Sequence, residues 1–479
     1  MPDAIIEKIG DPPSPISLFK TIAPYPYTFF LDSALQDKQL GRFSFLGCEP
    51  FLVFKSKGDR IFLEWADGEA ESFRANPFSA LKEIFKKYKC GNQCRQVPFI
   101  SGGVGYFSYD MKNFVEDLPD IAIDDLGIPD CMMGFYDVVI AYDHLEETAY
   151  IASCGLPHSG AKRARRQRDR LAEFKARIKK RTPGQAYLSG PVPGRLISNF
   201  SRSGYIDAIE KAKLYIKKGD IYQVNLSQRF QTDLNMDPSN LYSKLRAISP
   251  APFASYLGFK DVTILSSSPE RFLLKNGRYI ETRPIKGTRP RGADNEMDLL
   301  LERELIDSVK DNAEHIMIVD LERNDLGKIC DYGSIMPAGP AIVERYSNVF
   351  HLVSTVSGRL KESTDSVDCL LAAFPGGSIT GAPKVRAMEI IEELEPVRRS
   401  IYTGAIGYIS FDGEMDTSIA IRTLIVKDGK AYFSVGGGIV ADSDPGAEYQ
   451  ETLDKAKGIM LALGLSGSQG KKEMIACER

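Results

Sequence analysis

The feature that most constrains this chain is a recurrence of short β-prone runs bounded by Gly and Asp turns, with helical segments set irregularly among them. Phe51-Leu-Val-Phe54, Ile61-Phe-Leu-Glu-Trp65 and Val138-Val-Ile-Ala-Tyr142 are such runs in the first part of the chain. Their β-branched and aromatic content between turn residues predicts strands. Pro77 to Tyr88 carries Leu81, Ile84 and Phe85 on one side, which predicts a helix. In the second part, Tyr205 to Lys218 repeats Ile206, Ile209, Ala212 and Ile216 at helical spacing, and Gly219 stands where a C-terminal cap belongs. Strands are expected at Ile221–Phe230, Thr263–Leu265, Phe272–Leu274, Ala405–Phe411, Ile419–Val426 and Ala431–Val435. Long helices are expected from Glu296 to about Leu326 and from Gly446 to Leu463. The mixture predicts an α+β fold: a large mixed, mostly antiparallel β-sheet core with surrounding helices.

One stretch interrupts this pattern. Gly155 to Arg202 opens as a loop, carries eleven Lys and Arg between Lys162 and Arg181, and ends in Gly- and Pro-rich segments. Leu171, Phe174 and Ile178 are its sparse apolar residues at helical spacing. It reads as a solvated basic helix and linker over 156–202, or as a polyanion-binding stripe. It separates an N-terminal accessory domain, 1–155, from a catalytic region, 203–465, and 466–479 reads as a polar tail.

The 479 residues, 43% hydrophobic, are ample for a large core. A formal net charge of −3 argues against a general nucleic-acid binder, which needs a basic excess. There is no signal-like start and no apolar run of about 18 residues, so we expect a cytoplasmic protein with no membrane span. The eight cysteines are scattered and read as reduced thiols. Only Cys90 and Cys94 are close, and no second pair or nearby histidine completes a zinc site.

Four clusters could carry chemistry. Gly376-Gly-Ser-Ile-Thr-Gly-Ala-Pro-Lys384 precedes a helix and reads as an anion cradle or a plain tight loop. Gly436-Gly-Gly438 offers bare backbone, and the helix after it presents Glu448, Glu451 and Lys455 within about 60° around its axis. Ala313 to Asp325 places Glu314, Asp320, Arg323 and Asn324 beside an apolar stretch. A carboxylate from here and one from the C-terminal helix suit Mg²⁺. Finally, Ser267-Ser-Pro-Glu-Arg-Phe272 and Glu281-Thr-Arg-Pro-Ile-Lys-Gly-Thr288 bring an acid, Glu270, and an amine, Lys286, into one region. An acid that protonates a departing hydroxyl and a desolvated lysine are what substitution at an allylic alcohol needs. Each cluster alone is also compatible with ordinary surface charge.

Together the clusters resemble the chorismate-using enzymes: anthranilate synthase component I, aminodeoxychorismate synthase component I, isochorismate synthase and salicylate synthase. The matching segments run in the family's order from about Tyr205 to Leu463 and include Gly219 to Phe230, Pro284 to Gly292, Glu314 to Asp325, His351 to Gly358 and Asp416 to Thr423. The resemblance implies Mg²⁺ held by Glu314 and Glu451 with Glu448 beside them, and Glu270 as general acid at the C4 hydroxyl. It implies that Tyr402, Arg422 and the Gly436, Gly437 and Gly438 backbone hold the enolpyruvyl carboxylate. Thr288, Thr380 and Lys455 would line the pocket, and His351 would position the ring or move a proton.

Two positions separate the branches of the family. Water-adding members carry a lysine where this chain has Gln223, and a neutral amide cannot take a proton from water. Gln223 therefore implies ammonia as nucleophile. Lys286 matches the lysine that attacks C2 in the aminodeoxychorismate enzymes, where anthranilate enzymes typically have alanine. The expected reaction is chorismate to 4-amino-4-deoxychorismate, in p-aminobenzoate and folate biosynthesis. No cysteine has the Gly-x-Cys-x-Gly setting of the related glutaminases, so ammonia is expected from a separate glutaminase subunit. No fused lyase is expected. Ser33, with Pro252 and Phe253, stands where the family has a tryptophan pocket; a tryptophan bound there is expected to be structural rather than inhibitory. Two alternatives stand beside this reading: anthranilate synthase component I, and a non-catalytic ligand-binding regulatory subunit. The second predicts lost carboxylates, whereas Glu270, Glu314, Glu448 and Glu451 are all present.

Overall fold

The computed structural model describes residues 4–35, 40–91, 96–179, 195–292, 294–336, 341–345, 349–465 and the backbone of 475–477. Cys94, the Gly- and Pro-rich linker at 182–194 and most of the polar tail lie outside the described residues.

Two large sheets, of 13 and 10 strands, form the centre, and a 3-stranded sheet flanks them. Pairing between the strands is antiparallel except between Leu196–Ser198 and Ile475–Cys477. This is the α+β, mostly antiparallel architecture expected from the sequence. Both large sheets draw strands from either side of the basic helix. Thr28–Asp32 pairs with Phe253–Gly258 in the larger sheet, and Gly102–Phe107 pairs with Ala405–Ser410 in the other. The basic stretch therefore divides the sequence without dividing either sheet.

The sheets pack face to face. Phe29, Phe45, Ile264 and Ile425 of the larger sheet meet Val104, Tyr106, Ile406 and Tyr408 of the other in one buried cluster. Helices cover the outer faces: Pro77–Lys87 and Ser366–Ala373 on the smaller sheet, and Pro15–Ile22, Gly160–Lys179, Pro238–Ile248 and Pro445–Ala462 on the larger. Burying both faces of each sheet in this way explains the mixture of strand and helix signals along the chain.

Two expected elements are each divided in two. The strand expected over 419–426 is two strands, Met415–Ile419 and Thr423–Lys427, which belong to different sheets. Arg422, at φ +50°, turns the chain between them. The helix expected over 296–326 is Asn295–Asp307 followed by Val309–Gly327, because Ser308 leaves helical geometry and caps the second helix by accepting from the Asp311 N–H. Gly219 caps Arg202–Lys218 at φ +84°, as its position predicts.

The basic helix, Gly160–Lys179, buries Leu171, Phe174 and Ile178 as the spacing requires. Part of its charge also faces inward. Arg166 Nε lies 2.7 Å from the fully buried Asp137, and Arg177 Nη2 lies 2.7 Å from Glu49. Those guanidinium groups neutralise protein carboxylates and are not displayed for a polyanion.

Candidate active site

The site forms where the chain passes twice between the two large sheets. Thr263–Ser268 ends in the larger sheet and Arg271–Asn276 begins in the smaller, and Glu270 occupies the corner between them. The reverse crossing, from Met415–Ile419 to Thr423–Lys427, carries Arg422. Hydrogen bonds join the two corners: Ser267 N–H to the Arg422 carbonyl at 3.1 Å, Ile419 N–H to the Glu270 carbonyl at 3.1 Å, and Ser268 Oγ–H to the Ile419 carbonyl at 2.6 Å. The two corners, one carrying the buried acid Glu270 and the other the partly exposed Arg422, are thus fixed beside each other.

Burial dominates the chemistry of Glu270. It is 5% exposed, and desolvation pushes its pKa up to about 7, against the Ser378 hydroxyl and the charges of Lys286 and Arg422, which favour the carboxylate. The rise penalises the charged form by about 3 kcal/mol, enough to leave a protonated acid available at neutral pH. Ser378 Oγ donates to Glu270 Oε1 at 2.5 Å.

Lys286 comes from the 3-stranded sheet. Ile285–Pro290 pairs with Val349–Val353, and a register irregularity between Lys286 and Thr288 bends the strand there, with Gly287 at φ +75°. Lys286 Nζ donates to the Ser378 carbonyl at 2.9 Å. Desolvation pulls its pKa below the usual lysine value although Glu314, Glu270 and Glu451 oppose the change, and Lys455 adds to it. Its bond to the Ser378 carbonyl turns the amine of this part-exposed residue toward Ser378 and so toward Glu270. Thr288 Oγ1 lies 2.9 Å from Nδ1 of the buried His351. Burial, then the charge of Arg422, drives His351 down to about 3, so its imidazole is neutral at physiological pH.

The third wall is Lys430–Ile439 with the helix Pro445–Ala462. A Cβ built on Gly437 would lie 3.2 Å from Glu448 Oε2, 3.7 Å from Glu451 Oε1 and 3.9 Å from Lys455 Nζ, so these three side-chain ends face the bare glycine backbone. Lys455 Nζ donates to the Gly436 carbonyl at 2.9 Å and pairs with Glu451 at 2.7 Å. Desolvation raises Glu448, with Glu451 contributing, and desolvation also raises Glu314, with Glu448 contributing. Three carboxylates whose charges act on one another beside an open glycine cradle are a donor set that fits a hard divalent cation such as Mg²⁺. Among the described residues no three such side chains are already drawn into a ligand cluster.

Other predicted residues support the walls. Thr380 is fully buried, and its hydroxyl donates to the Gly376 carbonyl of its own loop at 3.0 Å. Tyr402 lies beside the Arg399 guanidinium, which is 5.9 Å from its ring centroid. Gln223 is buried opposite Ala382. Ser33, Pro252 and Phe253 line one cavity of about 210 Å³ between the sheets, together with Arg271 and Tyr408. Ser33 Oγ donates to the Phe43 carbonyl at 2.7 Å.

Sequence reasoning missed three residues. Ser378 holds Glu270 by its hydroxyl and Lys286 by its carbonyl. Glu322, 2% exposed and pushed up to about 7 by burial, accepts from the Gly377 N–H at 2.8 Å and fixes the same loop. Asn225 lies buried two residues beyond Gln223. Lys384, read as part of an anion cradle, pairs with Asp325 and donates to the Ala373 and Pro375 carbonyls, so it closes the loop.

A raised-pKa acid, an amine, a guanidinium and carboxylates gathered in one region are an arrangement suited to binding an anionic small molecule and doing acid–base chemistry on it. The comparison with known proteins narrows the class. The chain belongs to the family of chorismate binding enzymes, whose sequence profile matches residues 20–461, and it is a chorismate-using enzyme. It is 40% identical over 469 residues to anthranilate synthase component 1 of Acetivibrio thermocellus, covering 96% of this chain and 95% of that protein. It is 38% identical over 439 residues to aminodeoxychorismate synthase component 1 of Bacillus subtilis strain 168, covering 91% and 92%. The crystal structure of anthranilate synthase component I from Streptococcus pneumoniae TIGR4 superposes with a TM-score of 0.78 at 31% identity, over 89% of this chain and 93% of that one.

Proposed function

We propose that the protein aminates chorismate at C4, giving 4-amino-4-deoxychorismate. The observation that carries this reading is Lys286: a desolvated amine inside the site, held with the protonatable Glu270 by a single residue, Ser378. In its neutral form Lys286 attacks C2 of the ring. The ring's π electrons shift toward C4, the C4–O bond breaks, and Glu270 gives its proton to the departing hydroxyl, which leaves as water. Ammonia then bonds to C4, the π electrons shift back, and the C2–Nζ bond breaks to restore the lysine. The net change is chorismate plus ammonia to aminodeoxychorismate plus water.

The other residues orient the substrate. Arg422 and the Gly436–Gly438 backbone receive the enolpyruvyl carboxylate, with Tyr402 beside them. His351, neutral and fixed by Thr288, positions the ring. Glu314, Glu448 and Glu451 would hold Mg²⁺, which would supply electrostatic stabilisation of a bound carboxylate. Ammonia comes from a separate glutaminase subunit, with free ammonium as its substitute in vitro. In the same reading, the cavity at Ser33, Pro252 and Phe253 would take a tryptophan in a structural role.

A second reading, formation of anthranilate, is favoured by a specific observation: three relatives at 39% or 40% identity bear that name. Product identity separates the two. Purified protein with chorismate, Mg²⁺ and ammonium salt is expected to form 4-amino-4-deoxychorismate, identified by mass; anthranilate with pyruvate would establish the second reading instead.

A further inference from the structure

The residues on either side of Ser378 are each tied to a buried titratable side chain. The Gly377 N–H donates to Glu322 Oε1 at 2.8 Å, and the Ile379 carbonyl accepts from Arg399 Nη1 at 3.0 Å. Arg399 does more than hold one peptide group. A guanidinium has five N–H donors, and here all five are used. Nε and Nη2 donate to Glu395 at 2.9 and 2.7 Å, Nη2 to the Asn225 carbonyl at 2.6 Å, and Nη1 to Thr403 Oγ1 at 3.4 Å as well as to Ile379. Glu395 Oε1 in turn accepts from the Ser227 N–H and hydroxyl at 2.8 and 2.9 Å. Asn225 and Ser227 pair with Gly438 and Gly436. One guanidinium therefore reaches the loop that carries Ser378, the strand behind the glycine cradle and the turn that carries Tyr402.

Folding alone does not call for this. A buried ion pair gains little over apolar packing of the same volume, whereas a planar fork adds fixed direction to several acceptors at once. The turn it serves is also strained: Ser400 at φ +54° and Thr403 at φ +62° hold a left-handed conformation that residues other than glycine seldom adopt. A segment of the N-terminal part holds that turn. The Tyr109 N–H donates to the Ser400 carbonyl at 2.7 Å, the Ser400 N–H donates to Asp110 Oδ2 at 3.2 Å, and the centre of the Tyr109 ring lies 4.9 Å from the Arg399 guanidinium carbon.

We propose that Arg399 is a positioning residue for the acid step: by fixing the Ile379 carbonyl it aims the Ser378 hydroxyl at Glu270. This rests on the reading above, in which Glu270 is the acid. The Ser378 hydroxyl is the contact through which Arg399 acts. The other groups that face Glu270 are the Ile285 N–H at 3.5 Å and the charges of Lys286, Arg422 and Glu322. None of these receives a bond from Arg399, whose five donors are taken elsewhere.

The test follows chorismate consumption by the full chain with Mg²⁺ and ammonium chloride across a range of pH. Arg399→Lys keeps a positive charge beside Glu395 and loses the fork. It is expected to lower kcat by about tenfold to a hundredfold, the range for a slightly misplaced reacting group. It is also expected to move the alkaline limb of kcat/KM up by about one pH unit, the worth of one hydrogen bond to the Glu270 carboxylate. Ser378→Ala should move the limb equally, and the Ser378→Ala/Arg399→Lys double variant no further. If Arg399→Lys does not fold, Arg399→Gln/Glu395→Gln leaves no unpaired buried charge and takes its place with the same expectations. A residue that only stabilised the fold would change the amount of active protein and leave the limb where it is. A limb at the wild-type position in the folded variant, or a double variant whose limb lies above that of Ser378→Ala, would overturn the positioning role. Product mass keeps the two readings apart: anthranilate from the wild type would overturn the amination reading and leave the limb comparison in force.

Discussion

Two lysine–glutamate arrangements inside this molecule show what separates a structural pair from a reactive one. Lys112 and Glu392 are 1% and 5% exposed by side chain, and Nζ lies 3.1 Å from Oε2. Their other bonds are also filled: Lys112 donates to Asn113 Oδ1 at 3.0 Å, and Glu392 Oε1 accepts from the Ile121 and Ala122 N–H groups at 2.9 and 2.8 Å. Charge meets charge, and the pair locks the segment at 121–122 against the helix Lys384–Leu394. Lys286 and Glu270 are close enough to feel one another, yet each bonds to Ser378 and not to the other. Desolvation without direct pairing pushes both toward their neutral forms, a free amine and a protonated acid. A closed ion pair would hold both in the charged forms that cannot attack or protonate. Ser378 keeps the second arrangement open.

The contrast can be broken at either end. Lys286→Ala has the largest expected effect: 4-amino-4-deoxychorismate formation is lost while chorismate still binds, as read by product mass and by calorimetric titration. Glu270→Gln keeps the shape and removes the proton; kcat is expected to fall by about 10²–10⁴, the usual worth of a positioned general acid, with little change in thermal midpoint. Lys112→Met should do the reverse. It leaves Glu392 buried and unpaired, so urea unfolding should show a loss of about 3–5 kcal/mol while kcat per folded molecule is retained. The smallest effect is expected from Ser378→Ala. Glu270 acts as an acid below its pKa of about 7, so kcat/KM declines as pH rises through that value. The Ser378 hydroxyl favours the carboxylate, and its removal should move the alkaline limb to higher pH.

Part of the candidate site was legible as clusters, though each alone also matched ordinary surface charge, and their roles were implied by the resemblance of the clusters in order. The structure does bring Glu270 and Lys286 onto one residue, Ser378, and Leu171, Phe174 and Ile178 give the basic helix its buried stripe. Three kinds of information were not legible. The pairing of Thr28–Asp32 with Phe253–Gly258 depends on long-range register, which no local pattern encodes. The break at Arg422 looked like continuous strand because β-branched residues flank it; only the exchange between sheets requires the left-handed turn. Ser378 is an ordinary polar residue whose importance lies in partners about a hundred residues away. Ser308 was the more readable miss, since a serine three residues before an aspartate is a helix-start signal inside what looked like one helix.

The proposed chemistry turns on a covalent bond between Lys286 and the ring. Protein incubated with chorismate and Mg²⁺ but no ammonia, quenched in acid and digested, should yield the Lys286 peptide heavier by chorismate less one water, and Lys286→Ala should yield none. Steady formation of 4-amino-4-deoxychorismate by a Lys286→Ala enzyme, with no adduct trapped in the wild type, would contradict it.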